Sequence, residues 1–164
     1  MSATDELLDN NAAYVAAFDA PGRPSSPAKK VAILACMDAR LDPARALGLS
    51  EGDAHVIRNA GGVVTHDTIR SLAISQHFLG TEEIILIQHT DCGMQKFSDE
   101  QLAARLERHA GEPPPFQAHT FEDLEQNLRE SVRRLEESPF LLKTDAVRGF
   151  VYDVESGRLS ELTN

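Results

Sequence analysis

Val31-Ala32-Ile33-Leu34-Ala35-Cys36-Met37-Asp38-Ala39-Arg40 decides how this chain is read. Its first five residues are all apolar, too short a run for a helix, and read as a strand buried on both faces. The run gives out in a thiol, a carboxylate and a guanidinium. A second run, Ile84-Ile85-Leu86-Ile87, ends in Gln88-His89-Thr90-Asp91-Cys92-Gly93, so both strands stop at a metal-ligating side chain.

Outward from the first strand, Asp42-Pro43 predicts a helix cap followed by proline at the first helical position, and Gly48 closes that short helix. Ala54-His55-Val56-Ile57 reads as a strand and Arg58-Asn59-Ala60-Gly61-Gly62 as a turn of small residues. Thr65 opens a helix that carries Ile69, Leu72, Ala73 and Leu79 to Gly80. Beyond the second apolar run, Ser98 and Gln101 form a capping-box pattern for a helix to about His109, which Gly111 and Pro113-Pro114-Pro115 end. Thr120 is expected to open a long amphipathic helix with Leu124, Leu128, Val132 and Leu135 on one side, ended by Ser138-Pro139. Val147 to Val154 reads as a strand turned back through Glu155-Ser156-Gly157-Arg158 into Leu159 to Leu162, a hairpin. Strands alternating with helices predict an α/β fold with a mostly parallel sheet covered by helices on both faces. In such sheets ligands bind beyond the carboxyl ends of the strands, where Cys36, His89 and Cys92 fall.

At 164 residues the chain is expected to form one domain, 1–164. Residues 1–27 stand apart within it. Asp5 to Phe18 places Leu8, Ala12, Val15 and Phe18 at helical spacing, with Ser2 or Thr4 as cap, and Pro21-Gly22-Arg23-Pro24-Ser25-Ser26-Pro27 forms a linker that cannot continue the helix. That tether lets the helix pack on a partner subunit rather than on its own core. A net charge of −10, from 16 Lys+Arg against 26 Asp+Glu, argues against nucleic acid and anionic lipid as partners. No apolar stretch is long enough to span a membrane, and the acidic start lacks the pattern of a secretory signal, so the cytoplasm is the expected compartment. In that reducing setting two cysteines are expected free or metal-bound.

Two thiolates and one imidazole form the donor set that zinc prefers, and three protein ligands leave a tetrahedral ion one position short, as in catalytic sites. Fifty-two residues (37 to 88) separate Cys36 from His89, so the ligands come from different strands. Asp38, two residues from Arg40, is expected to stay ionised. Two arrangements are open for it: it accepts the proton of an oxygen on the metal and orients that oxygen, or it fills the fourth position itself, with Arg40 deciding by holding or releasing it. Of the remaining histidines, His55 and His66 lie nearest the glycine turn and are the candidates for proton relay. Backbone amides near Gly93 are candidates for binding a substrate oxygen.

Taken together, Cys36-Met37-Asp38-Ala39-Arg40, Val56-Ile57-Arg58-Asn59-Ala60-Gly61, His89-Thr90-Asp91-Cys92-Gly93 and Gly149-Phe150-Val151-Tyr152-Asp153-Val154 resemble the β-class carbonic anhydrases, in family order over nearly the whole chain. The resemblance is to the short branch, which also includes carbonyl sulfide and carbon disulfide hydrolases. It implies reversible hydration of carbon dioxide, one Zn2+ per chain on Cys36, His89 and Cys92, and Asp38 with Arg40 as the catalytic pair. It also implies a last strand that is antiparallel and a homodimer or dimer-based higher oligomer. Many relatives carry a glutamine just before the Gly52 to Ile57 stretch; Leu49, Ser50 and Glu51 stand there in this chain. Hydrolysis of carbonyl sulfide or carbon disulfide is the alternative at the same zinc set. A zinc-stabilised scaffold without turnover is a third reading, disfavoured because Asp38 and Arg40 are both present.

Overall fold

The computed structural model describes residues 2–19 and 21–162. Five strands form one sheet: β1 (Val31–Cys36), β2 (Ala54–Asn59), β3 (Glu83–His89), β4 (Val147–Tyr152) and β5 (Leu159–Glu161). Their order is β2-β1-β3-β4-β5, with β2, β1, β3 and β4 parallel and β5 antiparallel to β4. The helices are α1 (Ala3–Ala16), α2 (Pro43–Leu47), α3 (His66–Leu79), α4 (Asp99–Ala110) and α5 (Leu124–Glu136).

Local chemistry sets most of these boundaries. The Asp42 carboxylate accepts from the amides of Ala44 and Arg45 to start α2, and Gly48 ends it in the left-handed conformation with φ +66°. Thr65 caps α3 and Gly80 ends it. Ser98 and Gln101 form the reciprocal capping box expected at α4. Helix α5 departs from expectation: it begins at Leu124, capped by Asp123, and not at Thr120. Thr120 is diverted by a residue 21 positions earlier, donating its hydroxyl and its amide to Asp99 Oδ1 at 2.6 and 2.8 Å. A carboxylate is the stronger acceptor, and it fixes the chain between α4 and α5 in place of a helical turn.

Alternation along the strands divides the core in two. Ala32, Leu34, Ile84 and Leu86 pack against Leu72 of α3 and Leu128 and Leu135 of α5. Ile33, Ala35, Cys36 and Ile87 face the other way, toward Leu41, Cys92 and Met94. Leu72, Leu128 and Leu135 are fully buried, each contributing about 1.5–3 kcal/mol over an exposed position. On β3 the alternation sends Gln88 toward α5, where its Nε2 donates to Asn127 Oδ1 at 2.7 Å, and His89 to the opposite face.

Helix α1 buries none of its residues against the rest of the chain, and Leu7, Leu8 and Val15 are exposed. Ser2 is its cap, in a capping box with Asp5. The Tyr14 hydroxyl donates to Glu51, which also accepts from Arg23 at 2.8 Å, so Glu51 ties helix and linker to the loop before β2.

Candidate metal centre

Register brings the ligand candidates together. β1 lies between β2 and β3, with Cys36 opposite Asn59 and Ala35 opposite Ile87, so the carboxyl ends of β1 and β3 are adjacent. Cys36 is the last residue of β1, His89 the last of β3, and Cys92 follows in a tight turn. Their ligating atoms lie within 4.8 Å of one another and all three side chains are buried. Fifty-two residues of sequence separate Cys36 from His89; the parallel pairing of β1 with β3 closes that gap.

His89 carries the test of whether a metal fits. One ring nitrogen, Nδ1, donates to the Thr90 carbonyl at 2.8 Å, which leaves Nε2 as the acceptor. Nε2 is buried and has no hydrogen-bond partner, although buried polar atoms are nearly always paired. An orphaned imidazole lone pair beside two buried thiols is what a thiophilic divalent cation completes, and the backbone bond to Nδ1 is the usual support for a ligating histidine. Asp38 and Gly61 direct backbone amides at the Cys36 sulfur and Met94 directs one at Cys92. The hydrogen bond from Cys92 pulls the Cys36 thiol well below its ordinary range, against the desolvation of burial, and the same bond pushes Cys92 up. Burial opposes the cationic form of His89, yet its contacts with Cys36 and the Thr90 carbonyl outweigh it and raise its pKa.

Asp38 stands at the edge of this cluster, its Oδ2 3.7 Å from His89 Nε2. Arg40 grips it: Oδ1 accepts from the Arg40 amide at 2.9 Å and from Nε at 3.0 Å, and Oδ2 accepts from Nη2 at 2.9 Å. The Arg40 side chain holds the carboxyl well below the usual carboxylate range, more than offsetting its partial desolvation. Arg40 thus holds both Asp38 carboxylate oxygens.

Three supporting residues were not given roles from the sequence. Arg58, in β2, donates through Nε and Nη2 to the Cys36 carbonyl at 3.0 and 2.8 Å, and through Nη2 to the carbonyls of Asp38 and Leu41. It shapes the loop on which Cys36 and Asp38 stand; a charged residue directly after the apolar pair Val56-Ile57 was the available signal. Asp91 accepts from Arg40 and Lys96. Gly62, at φ +59°, lies so close that a Cβ there would meet the Cys36 amide at 2.8 Å and the Ile87 carbonyl at 2.9 Å. Only glycine lets this turn lie against both ligand strands.

The relay candidates do not reach the cluster. His55 lies toward the amino end of β2, bonded to Ser75 Oγ at 2.7 Å and the Ser25 carbonyl at 3.3 Å. His66 lines a cleft of about 970 Å3 between α3 and α5, on the face away from the thiols.

The family described as "Carbonic anhydrase" matches residues 31–159. The β-carbonic anhydrase 1 of Mycobacterium tuberculosis is 51% identical over 163 residues, covering 99% of both chains. A crystal structure of carbonic anhydrase from Streptococcus mutans superposes with a TM-score of 0.92 at 42% identity, covering 99% of each chain. The carbon disulfide hydrolase of an Acidianus species is 34% identical over 155 residues, covering 80% of this chain and 76% of its own. With the family match extending from β1 to β5 and the near full-length likeness to the mycobacterial protein, the chain belongs to the β-carbonic anhydrase family.

Proposed function

We propose that this protein is a carbonate dehydratase, a lyase that reversibly hydrates carbon dioxide to bicarbonate and a proton, with zinc held by Cys36, His89 and Cys92. One observation carries the reading: a buried, unpartnered His89 Nε2 faces two thiols, 3.7 Å from an aspartate already locked by arginine. A zinc ion in that set would supply the Lewis acidity that makes water nucleophilic toward carbon. Asp38, ionised and therefore acceptor-only, would accept a hydrogen bond from that water on Oδ2 and so turn an oxygen lone pair toward the substrate. Arg40 occupies both carboxylate oxygens and keeps Asp38 back from the fourth ligand position. Thr90 fixes the His89 tautomer. With such an ion bound, the two deprotonated sulfurs would cancel its formal charge, which would ease the departure of an anionic product.

The near full-length likeness to the mycobacterial β-carbonic anhydrase favours carbon dioxide over sulfur substrates, since the carbon disulfide hydrolase is both less similar and less fully covered. Leu49 and Glu51 are committed elsewhere, Leu49 to the core and Glu51 to Tyr14 and Arg23, so neither replaces the glutamine of other relatives. Side-by-side turnover of carbon dioxide and carbonyl sulfide by zinc-loaded protein tests the assignment. Hydration of carbon dioxide is expected, and consumption of the sulfur compound alone overturns it.

In this reading residues 1–164 are one domain that works as a homodimer or a dimer-based assembly, with α1 and its linker on the partner; the exposed Leu7, Leu8 and Val15 support it. Sedimentation at a multiple of 18.0 kDa checks it. Two buried free cysteines suit a reducing compartment such as the cytoplasm. Among the described residues no helix is long and apolar enough to cross a membrane.

A further inference from the structure

Arg40 is held from two sides. Its Nε and Nη2 serve Asp38, while Nη1 donates to Asp91 Oδ2 at 2.9 Å and Nη2 also reaches the Asp91 carbonyl at 3.2 Å. Asp38 follows β1 and Asp91 follows β3, so a single guanidinium spans the two strand ends that bear the thiols and the imidazole.

The details suit a clamp. Asp91 has φ +53°, a left-handed conformation that a residue with a Cβ adopts at a cost, and in it both its backbone carbonyl and its carboxylate meet the same arginine. Lys96 Nζ takes the other carboxylate oxygen at 2.6 Å, so each Asp91 oxygen has its own cation. The Arg40 side chain is 46% exposed, and a single ion pair open to water holds its partners only weakly. The second anchor makes its orientation over-determined, as networks of charge-assisted, bidentate bonds do.

We propose that Asp91 is a positioning residue for the reaction: it fixes Arg40 in the orientation that holds Asp38, and without it Asp38 is released to take the open ligand position. This rests on the reading of Asp38 and Arg40 as the working pair, and the test separates the two.

Asp91→Gly removes the carboxylate at a backbone angle that glycine adopts freely, and Asp91→Asn restores one acceptor oxygen. Each is loaded with cobalt(II) in place of zinc, beside the parent, Asp38→Ala and the Asp38→Ala/Asp91→Gly double variant. The expected result is a 10- to 100-fold lower kcat for Asp91→Gly with KM within about twofold, recovery to within about fivefold in Asp91→Asn, and a changed visible absorption of the cobalt in Asp91→Gly. That spectral change should vanish in the double variant, which has no Asp38 to move. An Asp91→Gly protein with the parent's cobalt spectrum overturns the proposal, whether or not its kcat falls. Parent-like turnover by Asp38→Ala instead overturns the reading of the pair, whatever the cobalt spectra of the Asp91 variants.

Discussion

Arg58 reaches across from the neighbouring strand and donates twice to the backbone carbonyl of Cys36, at 3.0 and 2.8 Å. With the Asp38 and Leu41 carbonyls it satisfies three acceptors in the loop that carries a thiol and the carboxylate. Arg58→Ala would remove this donor from the Cys36 and Leu41 carbonyls and leave the Asp38 carbonyl only the Leu41 amide, at a cost of about 2–4 kcal/mol from charged hydrogen bonds lost in a half-buried place. Lysine, a point charge without the planar fork, restores little of it. Urea unfolding of both variants checks the cost; a loss below about 1 kcal/mol for Arg58→Ala would mean that the loop holds its shape unaided.

Gly62 and Gly48 separate two causes of glycine dependence. Both have positive φ, +59° and +66°, but a Cβ at Gly48 meets nothing within 4 Å, whereas one at Gly62 strikes the backbone of both ligand strands. Gly48→Ala is expected to cost about 1 kcal/mol, from conformation alone. Gly62→Ala should cost more than twice that and lower the zinc content of purified protein. Equal melting temperatures for the two variants would exclude the close approach as the cause.

Metal should be worth much to the folded state, because it alone partners the buried His89 Nε2. At a thousandfold excess of zinc over its dissociation constant the stabilisation is about 4 kcal/mol, or roughly 10 °C for a chain of this size. Calorimetry before and after chelation measures it. Cys36→Ser and Cys92→Ser are each expected to abolish stoichiometric zinc and the shift together.

Activity is expected to rise toward alkaline pH, since two thiolates leave a bound ion a weaker acid toward water than three imidazoles would. The source of that limb is not Asp38. Its folded-state pKa is depressed, so it is charged at every pH above the ordinary carboxylate range and loses its charge only as pH falls through a still lower value. Asp38→Asn should therefore cut kcat about a hundredfold or more at each pH without moving the midpoint. A displaced midpoint would show that Asp38 itself titrates there.

Helix boundaries written in adjacent residues were legible from sequence: Asp42 and Gly48, Thr65 and Gly80, Ser98 and Gln101 all act where local pattern puts them. So were the ends of β1 and β3, because apolar runs stop where buried strands stop. The start of α5 was not, since Thr120 obeys Asp99 rather than its own neighbours. The parts of the site that pattern missed share that property: Arg58 acts 22 residues from Cys36 and Asp91 acts 51 residues from Arg40. Nothing local encodes such pairings, whereas the place of His55 near the amino end of its strand follows from Ala54-His55-Val56-Ile57 itself. The clustered thiols and imidazole were readable because such a side chain at a strand end is unusual in itself, whereas an arginine or aspartate in a loop is commonplace.

Gln88 and His89 are successive residues on β3 that point to opposite faces, one bonded into the helical layer and the other delivered to the thiols. Sliding β3 by a single position against β1 would exchange them, placing an amide among the sulfurs and an imidazole in the aliphatic layer. A chain mispaired in this way could bury most of its hydrophobic surface yet could not assemble the donor set. A metal held by that donor set would therefore favour the correctly aligned sheet over its slipped forms.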